Sequence, residues 1–214
     1  MSQVFFSPLC LRCASFAVNA TLFCDICWRS KIEPRLNRDS ESHIEGHRYL
    51  FDWGTEDPEY WKQFVYRMKS DRSLAAWNFY SNLMAKRIGC DEDEAVAPIP
   101  GSKKTSVHST LLAQQISCKT GRPYVDNLLL RNDGRQQKHR SLYARRVERP
   151  FSLNPQALEE ITMSERKSGR THRRILLVDD ILTSGSSYKH CRELLKPYCS
   201  AGIATLFYRR GHGR

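Results

Sequence analysis

Two adjacent carboxylates followed by a run of hydroxyl side chains are the most chemically suggestive residues in this chain. Asp179 and Asp180 come directly after Ile175, Leu176, Leu177 and Val178, and beyond Ile181 and Leu182 stand Thr183, Ser184, Gly185, Ser186 and Ser187. Small hydroxyl residues around a glycine leave backbone N–H groups accessible, and at the start of a helix those groups and the helix dipole attract phosphate. Neighbouring carboxylates repel each other unless a cation or hydroxyl groups lie between them. An ordinary strand and turn with the aspartates as caps leaves that repulsion unanswered, whereas a phosphorylated, hydroxylated ligand answers it.

A second cluster is formed by Cys10, Cys13, Cys24 and Cys27, spaced C-x2-C-x10-C-x2-C. Two such knuckles present four thiolates tetrahedrally to Zn2+, and the metal replaces the core that so short a segment cannot build. Four thiolates close the coordination shell, so a structural zinc is expected rather than a catalytic one. Phe23 and Trp28 beside the knuckles read as packing groups, and His43 and His47 complete no metal set. The other cysteines, Cys90, Cys118, Cys191 and Cys199, are scattered, which favours metal and a reducing compartment over a disulfide framework.

Basic side chains supply a third group of candidates. Lys103 and Lys104 follow the segment Pro98, Ile99, Pro100, Gly101, where a strand, a basic turn and a helix would make a second anion-binding geometry, or else an exposed lysine pair. Residues 131–149 hold Arg131, Arg135, Lys138, His139, Arg140, Arg145, Arg146 and Arg149 against only Asp133 and Glu148. Such density repels itself without an anion. It suits a solvated helix face, a flap closing over a phosphorylated ligand, or a groove for a nucleic-acid backbone. The formal charge of +11 over 214 residues points the same way, to a polyanionic partner or substrate. The cluster Asp91, Glu92, Asp93 and Glu94 reads as a solvated acidic loop, or else a weak cation site.

The elements that must position these groups follow from the apolar pattern. The aliphatic run at 175–178 suits a strand buried on both faces of a parallel sheet, with the acidic pair at its carboxyl end, where open α/β sheets place ligands. Tyr188, Cys191, Leu194, Leu195 and Tyr198 recur at helical spacing, predicting a helix over about 186–196, a turn around Gly202 and a parallel strand over 203–208. Further strands are expected at 49–53, at 95–100 and within 124–130. Helices are expected from Pro58 (Trp61, Phe64, Val65, Met68), after Ser70 and Asp71 (Leu74, Trp77, Ser81, Met84, Ile88), along Val107, Leu111, Leu112 and Ile116, and briefly after Asn154 and Pro155. The aromatics in the first two helices read as core, and Lys69 as a charge at a helix C-terminus. Residues 30–42 and 164–174 read as polar connections and 209–214 as a frayed basic tail. The division expected is a zinc-binding module and linker over 1–42 and a main domain over 43–214, with metal removal unfolding the residues near Cys10 to Cys27 and leaving ligand affinity mostly intact. No segment suits membrane insertion and no leader is apparent, so a cytoplasmic protein is expected.

Four apolar residues, two acidic residues and a Thr/Ser-Gly turn resemble the ribose-phosphate motif of type I phosphoribosyltransferases. That resemblance implies an α/β fold, a parallel sheet flanked by helices. It also implies 5-phosphoribosyl pyrophosphate (PRPP) as ligand together with Mg2+, with Thr183, Ser184, Gly185, Ser186 and Ser187 on the 5-phosphate. Asp179 and Asp180 would serve the ribose hydroxyls or, through water, the magnesium. Lys103 and Lys104 correspond to an early loop that contacts pyrophosphate. The order of cysteine module, helix pair, Pro-Ile-Pro basic loop, Arg/Gln-rich loop and terminal Asp-Asp-Ile-Leu-Thr-Ser-Gly unit resembles the ComF family over nearly the whole chain. Leu129 to Arg131, Gln136 or Gln137, Arg145 or Arg146, and Phe151 follow that family's central pattern, while 106–115 lack its Arg-Gly-Phe-Asn-Gln run. ComF membership implies phosphoribosyl transfer to an acceptor, or a role in competence and DNA uptake with single-stranded DNA and competence or recombination proteins as partners. A PRPP sensor without turnover is a third expectation. No acceptor-specificity motif is visible.

Overall fold

The aliphatic run that leads to the acidic pair forms the middle of a parallel sheet. A computed structural model describes residues 9–16, 19–36, 44–53, 58–70, 74–89, 94–101, 107–132, 150–168 and 174–209. The strands are β1 (His47–Asp52), β2 (Glu94–Pro98), β3 (Leu129–Arg131), β4 (Phe151–Leu153), β5 (Arg174–Leu182) and β6 (Ser200–Tyr208). The helices are α1 (Asp25–Cys27), which runs on through a π turn Trp28–Ile32 and a 3-10 turn Glu33–Arg35, then α2 (Pro58–Ser70), α3 (Leu74–Ile88), α4 (His108–Thr120), α5 (Pro155–Ser168) and α6 (Ser186–Leu195). The main sheet has the order β1-β6-β5-β2 with every pair parallel, and Tyr124 adds a parallel bridge to Val96 at its edge. β3 and β4 form a separate antiparallel pair.

Strand side chains point alternately to opposite faces, and both faces of this sheet are covered. Leu176, Val178, Val96, Ala204 and Leu206 face α2, α3, α4 and the cysteine segment, while Ile175, Leu177, Ala95, Ala97 and Ile203 face α6, α5 and the β3–β4 pair. The alternation slips by one residue across the acidic pair: Ile181 joins the first side and Leu182 the second. The expected β-α-β unit at the end of the chain is present, with β5 and β6 paired in parallel and joined through α6.

Several boundaries differ from the sequence expectation. β5 does not stop at Val178 but continues through Asp179 and Asp180 to Leu182, because parallel pairing with Thr205, Phe207 and Tyr208 holds the backbone extended. Gly202 lies inside β6 instead of a turn; a Cβ there would lie 3.3 Å from the Gly46 carbonyl oxygen, so the residue permits a close backbone approach. The connection expected over 164–174 is partly helix, since α5 extends to Ser168. Within the span expected as a linker, Ile32 is fully buried and Leu36 bridges to Phe51.

Glu94 is also not part of a solvated loop. It opens β2, fully buried, with Arg48 Nη1 at 3.1 Å and Arg122 Nη2 at 3.3 Å from its Oε2. A buried carboxylate persists only when paired in this way. Asp91, Glu92 and Asp93 lie outside the described residues. His47 is buried as well, its Nε2 2.9 Å from the Thr205 hydroxyl.

The cysteine segment shares its core with the helices. Cys10, Phe23, Cys27 and Ile32 belong to the same buried cluster as Trp61, Phe64, Trp77 and Phe207. Phe23 packs edge-on against Phe64 at 5.1 Å, Trp28 against Phe79 at 5.2 Å, and the Tyr80 hydroxyl donates to the Thr21 carbonyl at 2.6 Å. Phe23 and Trp28 are thus packing groups, and Trp61, Phe64, Trp77 and Tyr80 of α2 and α3 are core, as their spacing indicates, while Tyr66 is exposed.

Candidate functional site

β5 carries Asp179 and Asp180 to the carboxyl edge of the sheet, and a short turn then enters α6. Gly185 is the residue that makes the turn possible. It adopts φ +72°, the left-handed region that glycine enters without cost, and a Cβ there would stand 3.1 Å from Ile44 Cδ1. Gly185 offers α6 no side-chain cap, and the Ser186 N–H has only a long contact, 3.4 Å, to Ser184 Oγ, so the first turn keeps N–H groups with no helical partner. Thr183, Ser184 and Ser186 are exposed at this end, and the Ser184 hydroxyl donates to Ser186 Oγ at 3.1 Å. The helix dipole, the uncapped amides and the hydroxyls therefore converge on one point, an arrangement suited to an anion.

Beside this cradle the carboxylates are held differently from each other. The Asp180 N–H donates to Asp179 Oδ1 at 2.8 Å. Burial, reinforced by the neighbouring Asp180 charge, holds the Asp179 carboxyl well above the usual carboxylate range. Asp180 Oδ2 lies 2.5 Å from Lys69 Nζ, a cation delivered by the last turn of α2. The sequence pattern places Lys69 only at its own helix terminus. A lysine in the last turn of a helix is ordinary, and nothing local signals that it answers a carboxylate on a distant strand.

Of the basic candidates, Arg131 is described and lies close by. It sits in β3 with its guanidinium 5.3 Å from the Phe151 ring, and its Nη1 is 3.4 Å from the Pro100 carbonyl just beyond the carboxyl end of β2. The β3–β4 pair is in turn tied to α6, where His190 Nε2 is 3.3 Å from the Phe151 carbonyl. Lys103, Lys104 and the rest of the basic run, from residue 133 to 149, lie outside the described residues. A cleft of about 510 Å3 opens at the opposite edge of the sheet, among Arg174, Arg192, Lys196, Glu45 and Ser200. Its position at the amino-terminal ends of β5 and β6 separates it from the acidic pair, and Arg192 there is already paired with Glu45 at 3.0 Å.

The four knuckle cysteines come together as their spacing predicts. Their Sγ atoms all lie within 4.8 Å of one another, and Cys13 Sγ is 3.7 Å from Cys24 Sγ. A tetrahedron with Zn–S bonds of about 2.3 Å has an edge of about 3.8 Å, so the sulfurs can hold a metal such as zinc. The Arg12 N–H approaches Cys10 Sγ and the Cys27 N–H approaches Cys24 Sγ, each at 3.5 Å. As free thiols the set is uneven. Hydrogen bonds with Ser15 draw Cys13 down to about 6, the Cys27 backbone lowers Cys24, and burial pushes Cys27 up to about 12. A divalent cation would compensate the buried charge that Cys27 resists on its own.

No protein-family model matches the chain, and no curated protein matches it in sequence. Among solved structures, the chain is similar to adenine phosphoribosyltransferase from Leishmania donovani, with 10% identity, 66% of each chain covered and a TM-score of 0.35. It is similar also to adenine phosphoribosyltransferase from Leishmania tarentolae, with 10% identity, 66% of this chain and 73% of that chain covered and a TM-score of 0.35. The chain spans just under two thirds of the length of the first of these, at 66%.

Proposed function

We propose that the chain binds a phosphorylated ribose at the carboxyl edge of β5, with PRPP and Mg2+ as the ligand pair and phosphoribosyl transfer as the reaction, in the manner of a ComF-type protein. The observation that carries this is the placement of Asp179 and Asp180 on the strand that feeds the uncapped, Gly185-led start of α6. Thr183, Ser184, Gly185, Ser186 and Ser187 would take the 5-phosphate. Asp179, kept protonated more readily than an ordinary carboxyl, can donate to a ribose hydroxyl while Asp180 accepts from one. Lys103, Lys104 and Arg131 are the proposed pyrophosphate contacts.

In the proposed transfer the C1–O bond to pyrophosphate breaks, the leaving group keeps the electron pair, and an acceptor nitrogen supplies the pair for the new C1–N bond. Positive charge grows on the ribose ring, so the site needs electrostatic positioning more than a strong base. Mg2+, when bound with PRPP, neutralises the pyrophosphate. Calorimetric titration of PRPP with Mg2+ into the wild type and Asp180→Asn tests the proposal. Binding by the wild type that weakens about tenfold or more in the variant is expected, and no heat of binding from the wild type would sink it. Release of pyrophosphate on adding candidate bases then distinguishes an enzyme from a sensor.

A second reading has its own support in the basic surface and in the exposed Phe16 and Ile26 of the cysteine segment. Aromatic and basic groups together suit single-stranded DNA, with competence or recombination proteins as partners and no turnover. Its test is a salt titration of oligonucleotide binding: affinity that barely responds to salt would contradict it.

A further inference from the structure

We propose that Lys69 is a positioning residue for the sugar-phosphate site, and that helix α2 couples its placement to metal occupancy of the four cysteines. The proposal rests on the sugar-phosphate reading above.

The two ends of α2 touch the two clusters. Toward its start, Tyr60, Trp61 and Phe64 rest on the cysteine segment: Phe23 lies 5.1 Å from Phe64 and 5.8 Å from Tyr60 between ring centroids. The Arg12 guanidinium stands 6.0 Å from the Tyr60 ring and that of Arg35 5.8 Å from the Trp61 ring. Phe23 stands next to Cys24 in the chain and joins Cys10 and Cys27 in the core, so its seat depends on the knuckles keeping their shape. Toward the helix's end, Trp77 Nε1 donates to the Met68 carbonyl at 3.1 Å, and the next residue, Lys69, reaches Asp180. Phe64 and Lys69 are five residues apart on one rigid rod, about 7.5 Å along its axis. A shift at Phe64 is therefore felt at the ammonium.

The ion pair matters because Asp180 does more than carry a charge. Its backbone N–H donates to the Asp179 carboxylate and the Lys69 charge acts on Asp179 as well, so losing the Lys69 contact changes the electrostatics of both acids at once. A lysine that served only to end its helix would face the helix's own last carbonyls; this one instead bridges to Asp180 on the sheet strand β5.

The test uses the full chain in zinc-loaded and zinc-stripped forms, as wild type, Lys69→Met and Lys69→Arg, titrated with PRPP and Mg2+. Zinc-loaded Lys69→Met should bind about tenfold more weakly at an unchanged melting temperature, with Lys69→Arg within about threefold of wild type. Stripping should weaken the wild type by a similar factor and leave Lys69→Met no weaker than before. Wild-type affinity in Lys69→Met, or equal loss on stripping in both proteins, would overturn the coupling. Should the stripped chain unfold, Phe64→Leu with zinc retained replaces it, loosening the seat of α2 and showing the same dependence on Lys69. A zinc-loaded wild type that takes up no PRPP defeats the sugar-phosphate reading instead. Hydrogen exchange over residues 179–187 then decides the coupling: faster exchange on stripping supports it, and unchanged exchange overturns it.

Discussion

The four cysteines come together within one short segment, residues 10–27, whereas the acidic pair on β5 draws its cation from the last turn of the distant helix α2 and lies beside the turn into α6. Both clusters concentrate groups that are unstable alone. The four cysteines can supply every ligand of a tetrahedral metal such as zinc and would leave it no open position, which suits a structural role and not a catalytic one. At the acidic site one carboxylate is answered by Lys69, the other is held by burial, and the start of α6 has no cap from Gly185 and only the long Ser184 contact. The difference separates a cluster that is complete in itself from one that leaves room for a ligand.

The largest effect that would test this contrast is at the closed cluster. Cys27→Ser removes a buried ligand and should abolish stoichiometric zinc, lowering stability by several kcal/mol because Phe23 and Ile32 lose their place in the shared core. Metal analysis with thermal unfolding checks it; a variant that keeps its melting temperature would remove the cysteines from any structural role. Next in size is Gly185→Val. A β-branched residue forced to φ +72° costs roughly 1–3 kcal/mol, and its Cβ meets Ile44, so both stability and PRPP binding should fall. Full binding by this variant would dissociate the turn from the ligand.

The smallest effect has the opposite sign. Because Asp179 is held above its ordinary range, the folded protein binds that proton more tightly than the unfolded chain does. Stability is thus kept at acid pH and lost as pH rises through the folded-state value. Asp179→Asn removes that loss. Its melting temperature should exceed that of wild type by a few degrees at pH 8, with the gain disappearing below about pH 4, while PRPP binding weakens. Destabilisation by Asp179→Asn at pH 8 would show that the carboxylate is favourably solvated and not poised for a ligand. The cysteines offer no such trade between stability and binding.

Much of this was legible from local pattern. The strand and helix around the acidic pair, the glycine turn between them, the apolar stripes of α2 and α3 and the cysteine spacing all follow from side chains a few residues apart. The β3–β4 pairing was not legible, since three-residue strands carry too little alternation to register, and Glu94 was obscured by three acidic neighbours although its burial depends on Arg48 and Arg122. Lys69 was visible as a residue but not as a partner of Asp180.

The sequence by itself determined which chemistry this chain can offer: four thiols at knuckle spacing, two carboxylates before a hydroxyl-rich turn, and a surplus of positive charge. Those are properties of residue type and short-range order, and the backbone periodicities translate them directly into local structure. Only the tertiary structure decided that the cysteine segment and α2 share one core, that α2 ends against Asp180, and that Asp179 is desolvated. Burial and ion pairing depend on which elements meet across the sheet, and that is set by the packing of whole faces, which no short stretch of residues encodes.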